Sequence, residues 1–257
     1  MTSTGTGAGR TAATAQRRVA WTTALRLAYG VVLRQTASTG RIIALSALSL
    51  TAVIAGSALG TSDTATLDDA VALIAGLGFG VVIPVVALVF GGGAIGDLRD
   101  DKTLVYLWLR PIDRWPIVTG AASAALTLAM PITLVPVTVA AALTGAGGTL
   151  VVATVIAGVV GLVAYTAVFT LFGVLFRRFI VWGLAYILIW EGFIAQAGAG
   201  VARVALRKYT RSILVDRTGA DLDLADFGLA TGVIVPLVVA VAALGIASWR
   251  LSNQDID

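Results

Sequence analysis

The sequence contains no cysteine and no histidine among its 257 residues. The absence of cysteine excludes a disulfide framework and a thiolate metal site, and the absence of both residues excludes the usual zinc ligands and imidazole-dependent triads. Charged residues are also scarce, at 12% of the chain, against roughly 25% in an ordinary globular domain. These absences argue against most classes of soluble enzyme.

Apolar residues are abundant instead, at 58% of the chain, and the mean hydropathy is +0.94. A membrane-spanning helix needs about 20 mostly apolar residues. Six stretches are long enough, at residues 42–60, 71–96, 116–144, 150–176, 179–202 and 228–249. The sequence therefore predicts an all-α membrane protein whose six transmembrane helices form one domain over residues 42–257. Pro131 and Pro136 predict a kink or a short interruption in the third stretch.

Two segments precede the first apolar stretch. Residues 1–16 are rich in Thr, Gly and Ala, which is typical of a disordered tail. Residues 17–41 carry an apolar stripe and a neighbouring basic face at helical spacing. The stripe consists of Trp21, Leu25, Ala28 and Val32, and the basic face of Arg18, Arg26 and Arg34. This pattern predicts an amphipathic helix at the membrane interface, with its arginines toward lipid phosphates.

The distribution of basic residues predicts the orientation. Six arginines and no acid lie between residue 10 and the first stretch, whereas residues 61–70 hold three Asp and no base. Cytoplasmic loops are enriched in Lys and Arg, so both termini are expected in the cytoplasm. This orientation explains the net charge of +4 better than nucleic-acid binding does. Residues 203–227 carry five bases and four acids yet fall outside by parity, where we expect either an amphipathic element or a solvated loop.

The loop between the second and third stretches, residues 97–114, is the most informative segment. Three acids begin it, where negative charge favours a helix N-terminus, and Arg110 precedes Pro111, where a helix would stop. Three apolar side chains share one face between these limits. The acids are Asp97, Asp100 and Asp101, and the apolar residues are Leu104, Leu107 and Trp108. The pattern predicts a short amphipathic cytoplasmic helix with charges available to a partner.

This segment resembles the one that follows the second span in permease subunits of ATP-binding cassette exporters of type 2. The resemblance is carried by Ile95-Gly-Asp-Leu-Arg-Asp-Asp-Lys-Thr-Leu-Val-Tyr-Leu and by Arg110-Pro-Ile-Asp-Arg114. A second similarity lies in Tyr186-Ile-Leu-Ile-Trp-Glu-Gly192 and Leu206-Arg-Lys-Tyr-Thr210. The chain departs from the family pattern at Leu98 and Lys102, where Glu and Gly are common, and at Ala121, where Lys is frequent.

The resemblance implies a prokaryotic plasma-membrane transporter subunit that exports a hydrophobic or amphiphilic compound. Residues 97–114 would contain the coupling helix that docks on a cytoplasmic ATPase, with two ATPase subunits per complex and a second or related permease completing the pore. ATP and Mg²⁺ would bind the ATPase, because this chain has no phosphate-binding loop. The implied coupling residues are Asp97, Arg99, Asp100, Asp101, Lys102, Thr103, Leu104, Leu107, Trp108, Arg110, Pro111 and Arg114.

Glu191 is an acid near the middle of the fifth apolar stretch, next to Trp190. An ionised carboxylate at this depth is costly, so it should face a partner or water. One interpretation is that Glu191 and Trp190 belong to the translocation pathway, with Glu191 acting in gating or proton binding. The other is a structural carboxyl that is hydrogen-bonded to Tyr165, Gln196 or a backbone group.

Two other functions remain open from the sequence. A proton-coupled secondary carrier could use Glu191, although we find neither further intramembrane charges nor an inverted repeat. A membrane scaffold could bind a partner through residues 97–114 without moving a solute. Catalysis within the chain is not expected, because it has no clustered His, Cys or paired intramembrane carboxylates.

Overall fold

The computed structural model describes residues 21–100, 114–193, 205–221 and 227–253. Every regular element within these ranges is helical. The elements are α1 (Trp21–Thr36), α2 (Thr39–Gly60), the composite α3 (67–100), α4 (Arg114–Leu143), α5 (Gly148–Leu175), α6 (Phe179–Ala185, extended by a π-helix at Tyr186–Glu191), α7 (Leu206–Thr218) and α8 (Leu229–Asn253). The predicted all-α class is confirmed for this part of the chain.

Five of the described helices are long and apolar enough to cross a membrane, as expected of a membrane protein. These are Thr39–Gly60, Leu67–Arg99, Arg114–Leu143, Gly148–Leu175 and Leu229–Asn253. The fifth predicted stretch contributes the shorter apolar helix Phe179–Glu191, and its residues 194–202 lie outside the described ranges. The tail at 1–16 and Arg18 also lie outside them.

Helix α1 packs with its small side chains against α4. Ala24, Ala28 and Val32 are buried, and a Cβ built on Gly120 of α4 would lie 3.0 Å from Ala28 Cβ. Trp21 stays half-exposed, and Arg26 and Arg34 are exposed. Ala28 and Val32 of the predicted stripe are thus buried inside the bundle, and the placement of this helix at the membrane interface stays a prediction.

Helix α3 changes its backbone pitch four times along its length. Two π-helical segments alternate with α-helical ones, in the order Leu67–Leu73 (α), Ile74–Val82 (π), Ile83–Ala87 (α), Leu88–Gly92 (π) and Gly93–Asp100 (α). Pro84 lies between the π segments and supplies no backbone N–H, which disrupts α-helical hydrogen bonding at that point. By contrast, α4 continues through Pro131 and Pro136, so the predicted short interruption is absent, while the alternative of a kink stays a prediction.

Helices α2 and α4 approach closely because glycines face the backbone of the neighbouring helix. A Cβ built on Gly56 would lie 2.5 Å from the carbonyl oxygen of Ala140, and a Cβ built on Gly60 would lie 1.9 Å from that of Leu143. Small residues at helix contacts are typical of membrane bundles. The contacts also show that α2 and α4 run in the same direction.

The two opposite ends of the bundle are named after residues that lie there. The Asp97 end is where Arg41, Asp97 and Val174 meet. At the Asp68 end, opposite, the backbone N–H of Asp221 donates to Asp68 at 3.1 Å.

Helix α7 packs within the bundle, which corrects both sequence-based alternatives for Leu206–Thr218, while residues 203–204 and 222–226 lie outside the described ranges. It packs against α5 and α8 and buries Lys208, Thr210 and Ser212. A Cβ built on Gly161 of α5 would lie 2.9 Å from Thr210 Cγ2. Periodicity could not indicate this position, because polar and charged residues occur all along α7 and its burial comes from the helices around it.

Candidate functional site

The base of the 97–114 segment is attached to two neighbouring helices at the Asp97 end. Arg41 Nη1, at the start of α2, lies 2.5 Å from Asp97 Oδ2. Arg99 donates through Nη2 to the backbone carbonyl of Val174, near the end of α5. Both Asp97 and Arg99 come from the last turns of α3, so α3 is tied there to α2 and α5.

The start of α6 is packed against the same part of α3. The Phe179 ring fits beside Gly92 and Gly96, and a Cβ built on either glycine would lie 2.4 Å from a ring carbon. Gly91 faces α5 instead, with a built Cβ 2.9 Å from the carbonyl oxygen of Thr166. These glycines thus serve close packing and let three helices meet the base of the segment.

The remaining predicted coupling residues are only partly placed. Asp100 ends α3, and Arg114 begins α4 and is partly buried. Leu98, one of the departures from the family pattern, is 1% exposed and belongs to the core. The other coupling residues lie outside the described ranges: Asp101, Lys102, Thr103, Leu104, Leu107, Trp108, Arg110 and Pro111.

Glu191 is buried at the end of α6, with 3% of its surface exposed. Its carboxylate accepts hydrogen bonds from the Tyr165 hydroxyl, from the Tyr186 hydroxyl at 2.8 Å and from the backbone N–H of Leu206 at 3.1 Å. The expected bonds from Tyr165 and from a backbone group are confirmed. The third expected partner, Gln196, lies outside the described residues. A role of Glu191 in gating stays a prediction, as does one for Trp190, which is partly buried.

The three donors come from three different helices. Tyr165 belongs to α5, Tyr186 to α6 itself and Leu206 to the first turn of α7, whose positive dipole end also favours a nearby carboxylate. Glu191 lies roughly 18 Å along its helix from Phe179, given about 1.5 Å per residue. Its carboxylate therefore joins α5, α6 and α7 near the middle of the bundle.

Aromatic rings support this carboxylate on the side of α5. Tyr165 stacks on Phe169 with ring centroids 6.0 Å apart, and the Tyr186 ring meets Phe169 and Phe172 edge-on at 6.0 and 5.9 Å. Such contacts fix ring orientation in addition to burying apolar area. The two hydroxyl donors are thus held in place by packing.

Sequence reasoning missed the roles of Tyr186 and Arg41. Tyr186 precedes Glu191 by five residues, a spacing that shares a face only in a π-helix, so an α-helical projection separates them. In the sequence Arg41 is only one of several bases that predict the orientation. The available signal was position. Arg41 directly precedes the first apolar stretch and Asp97 directly follows the second, so two consecutive spans would place both residues at the same end.

The described residues contain no group of three or more potential metal ligands among His, Cys, Asp and Glu. Searches against protein-family models and against curated proteins found no match for this chain.

Proposed function

We propose that this chain is the membrane-spanning, non-catalytic subunit of an ATP-driven transporter that exports a hydrophobic or amphiphilic compound. The proposal is supported by the motifs at residues 95–107 and 110–114 and by their position between two long apolar helices. ATP and Mg²⁺ belong to a separate cytoplasmic ATPase, present as two subunits. A second copy of this chain or a related permease completes the pathway.

One observation carries the proposal furthest: the base of the 97–114 segment is tied to helices that are distant in sequence. Arg41 ties it to α2, the carbonyl of Val174 ties it to α5, and Phe179 packs α6 onto it. A force applied to residues 101–113 would therefore displace several spans together. Switching by rigid-body motion of helices requires such a connection.

The proposed topology has six crossings with both termini in the cytoplasm. The Asp97 end is then cytoplasmic, and α1 lies along the interface there. Helices α6 and α7 together make the fifth crossing, because α6 begins at the Asp97 end and α7 ends near Asp68. A broken crossing is tolerated at membrane depth where its backbone groups are buried in protein. The basic residues of α7 then belong to a crossing, which removes the conflict with the charge rule for loops.

A proton-coupled carrier remains the second candidate because Glu191 is an acid buried near the middle of the bundle. The three hydrogen bonds that it accepts favour a structural role over proton exchange.

Co-purification tests the proposal. The chain should co-purify with a soluble ATPase encoded beside it and raise or regulate its hydrolysis rate. Reversing the charges of Arg110 and Arg114, or of Asp100 and Asp101, should weaken both effects. If complex formation and hydrolysis are untouched by either pair of reversals, residues 97–114 do not dock the ATPase.

A further inference from the structure

Helix α7 carries two arginines whose hydrogen-bonding capacity is not fully used. Arg207 and Arg211 lie one turn apart and so share a face. Both side chains are partly buried, and the Nε atom of each is buried without a hydrogen-bond partner. Buried polar groups in folded proteins nearly always have partners. Two such donors on one face leave two hydrogen-bond positions that no described residue fills.

The arginines lie deep in the bundle. A Cβ built on Gly80 would lie 2.7 Å from Arg207 Nη2 and 2.8 Å from Cζ, so the guanidinium covers this glycine of α3. Gly80 is roughly 20 Å along α3 from Leu67, at about 1.5 Å per residue. Arg207 is therefore near the mid-depth of a span, where a cation facing lipid is strongly disfavoured.

The neighbouring acid, Glu191, takes its hydrogen bonds from groups other than the two arginines. Glu191 and Arg207 interact electrostatically, but among the described residues no ion pair joins them. The Glu191 carboxylate instead accepts from Tyr165, Tyr186 and Leu206. The Nε donors of Arg207 and Arg211 are therefore not satisfied by this carboxylate.

Helix α3 has open space one turn away from the position that Arg207 covers. Gly76 precedes Gly80 by four residues on α3, and a Cβ built on Gly76 meets no atom within 4 Å. Both glycines are partly exposed. The open position at Gly76 exposes backbone one turn from the glycine that Arg207 covers, which lets another molecule approach closely.

We propose that Arg207 and Arg211 bind the anionic head, a phosphate or carboxylate, of a single-chain amphiphile. Guanidinium groups match these anions because their N–H donors form a planar fork. The apolar chain of the ligand lies along the exposed apolar surface of α3. This inference rests on the proposed transport function, since it names the class of the transported solute.

Binding is tested on the purified full chain in dodecyl maltoside, with dodecyl phosphate as the probe. A ligand that binds the folded state raises the unfolding temperature in a concentration-dependent way. We expect dodecyl phosphate to raise it, and Arg207→Gln with Arg211→Gln to weaken apparent affinity at least tenfold. Arg217→Gln is the matched control, because Arg217 is an exposed arginine on the same helix, and it should bind as the parent does.

Three further probes decide the ligand class. Dodecyltrimethylammonium has the same chain and opposite charge, and equal stabilisation by it would overturn the anionic assignment. If inorganic phosphate binds as tightly as dodecyl phosphate, the apolar chain contributes nothing to affinity, and the ligand is not an amphiphile. If phosphatidylglycerol binds as tightly as dodecyl phosphate, the site binds bilayer lipid, and the assignment of a transported solute is wrong. If the double variant fails to fold, Arg211→Gln alone carries the test, and undiminished affinity in it contradicts the proposal.

This outcome is separable from that of the transport proposal, because the binding assay contains no ATPase. If the chain does not co-purify with the ATPase but still binds dodecyl phosphate, the transporter proposal is refuted and the anion site remains. If dodecyl phosphate shows no specific binding while the chain still co-purifies with the ATPase, only the anion site is refuted.

Discussion

Arg41 and Asp97 form an ion pair, 2.5 Å from Nη1 to Oδ2, although 56 residues separate them in the chain. The pair joins the start of α2 to the last turns of α3, directly before residues 101–113. Its side chains are 35% and 17% exposed, so water screens the pair only in part. The pair therefore attaches the base of the segment to α2.

If the proposed function is right, charge reversal at this pair should uncouple ATP hydrolysis from the membrane-spanning helices. Arg41→Glu places two carboxylates together, and we expect stability to fall by about 1 kcal/mol. The ATPase should still bind, because residues 101–113 are intact, but its stimulated hydrolysis should fall. The combination of Arg41→Glu with Asp97→Arg should recover at least half of the stimulation. Arg34→Glu, at an exposed arginine of α1, should change neither quantity, and an equal effect there would refute a specific role for the pair.

Substitutions at Glu191 should separate hydrogen bonding from charge. Glu191→Gln keeps an acceptor oxygen, so its free energy of unfolding should stay within about 1 kcal/mol of the parent, and transport should persist. Glu191→Ala leaves three donors without an acceptor and should cost roughly 3 kcal/mol or more. Unfolding by SDS in mixed micelles measures both. Complete loss of transport in a normally assembled Glu191→Gln protein would show instead that the charge is required.

The tyrosine donors to Glu191 can be tested against a matched tyrosine elsewhere. Tyr165→Phe removes a buried hydroxyl that donates to Glu191, and we expect a loss of about 1–2 kcal/mol. Tyr29→Phe removes an exposed hydroxyl that donates to Thr127 at 3.1 Å, so its effect should stay below about 0.5 kcal/mol. If both variants lose the same free energy of unfolding in the SDS titration, the hydrogen bond from Tyr165 to Glu191 contributes no more to stability than an exposed one.

Close packing between α3 and α5 depends on Gly173. A Cβ built on Gly173 would lie 2.4 Å from the carbonyl oxygen of Gly92, which is backbone and cannot easily move. Gly173→Ala should therefore destabilise the chain by about 1–3 kcal/mol. Gly30→Ala is the control, since a Cβ there meets nothing within 4 Å and alanine favours the helix. A Gly173→Ala protein as stable as the parent would show that the two helices can separate without cost.

The helical class and most spans follow from the sequence because membrane burial requires long apolar runs. The described helices begin and end close to the predicted limits, as in α5, predicted at 150–176 and found at Gly148–Leu175. Helix α7 could not be placed this way, because Arg207 and Lys208 make its sequence polar while neighbouring helices bury it. The same limit applies to Glu191: its need for partners follows from its depth, but its backbone donor Leu206 lies on another helix, 15 residues further along the chain.

The most direct measurement uses the absence of cysteine, since a single introduced thiol is then the only one in the chain. Lys102→Cys should react with a membrane-impermeant maleimide from the cytoplasmic side of the membrane alone. Addition of the ATPase should protect this thiol from the maleimide, while a thiol introduced at exposed Ser62 should react only from the opposite side and gain no protection. Reaction of the thiol at position 102 from the outside, or an unchanged rate with the ATPase bound, would contradict the proposed docking of residues 97–114.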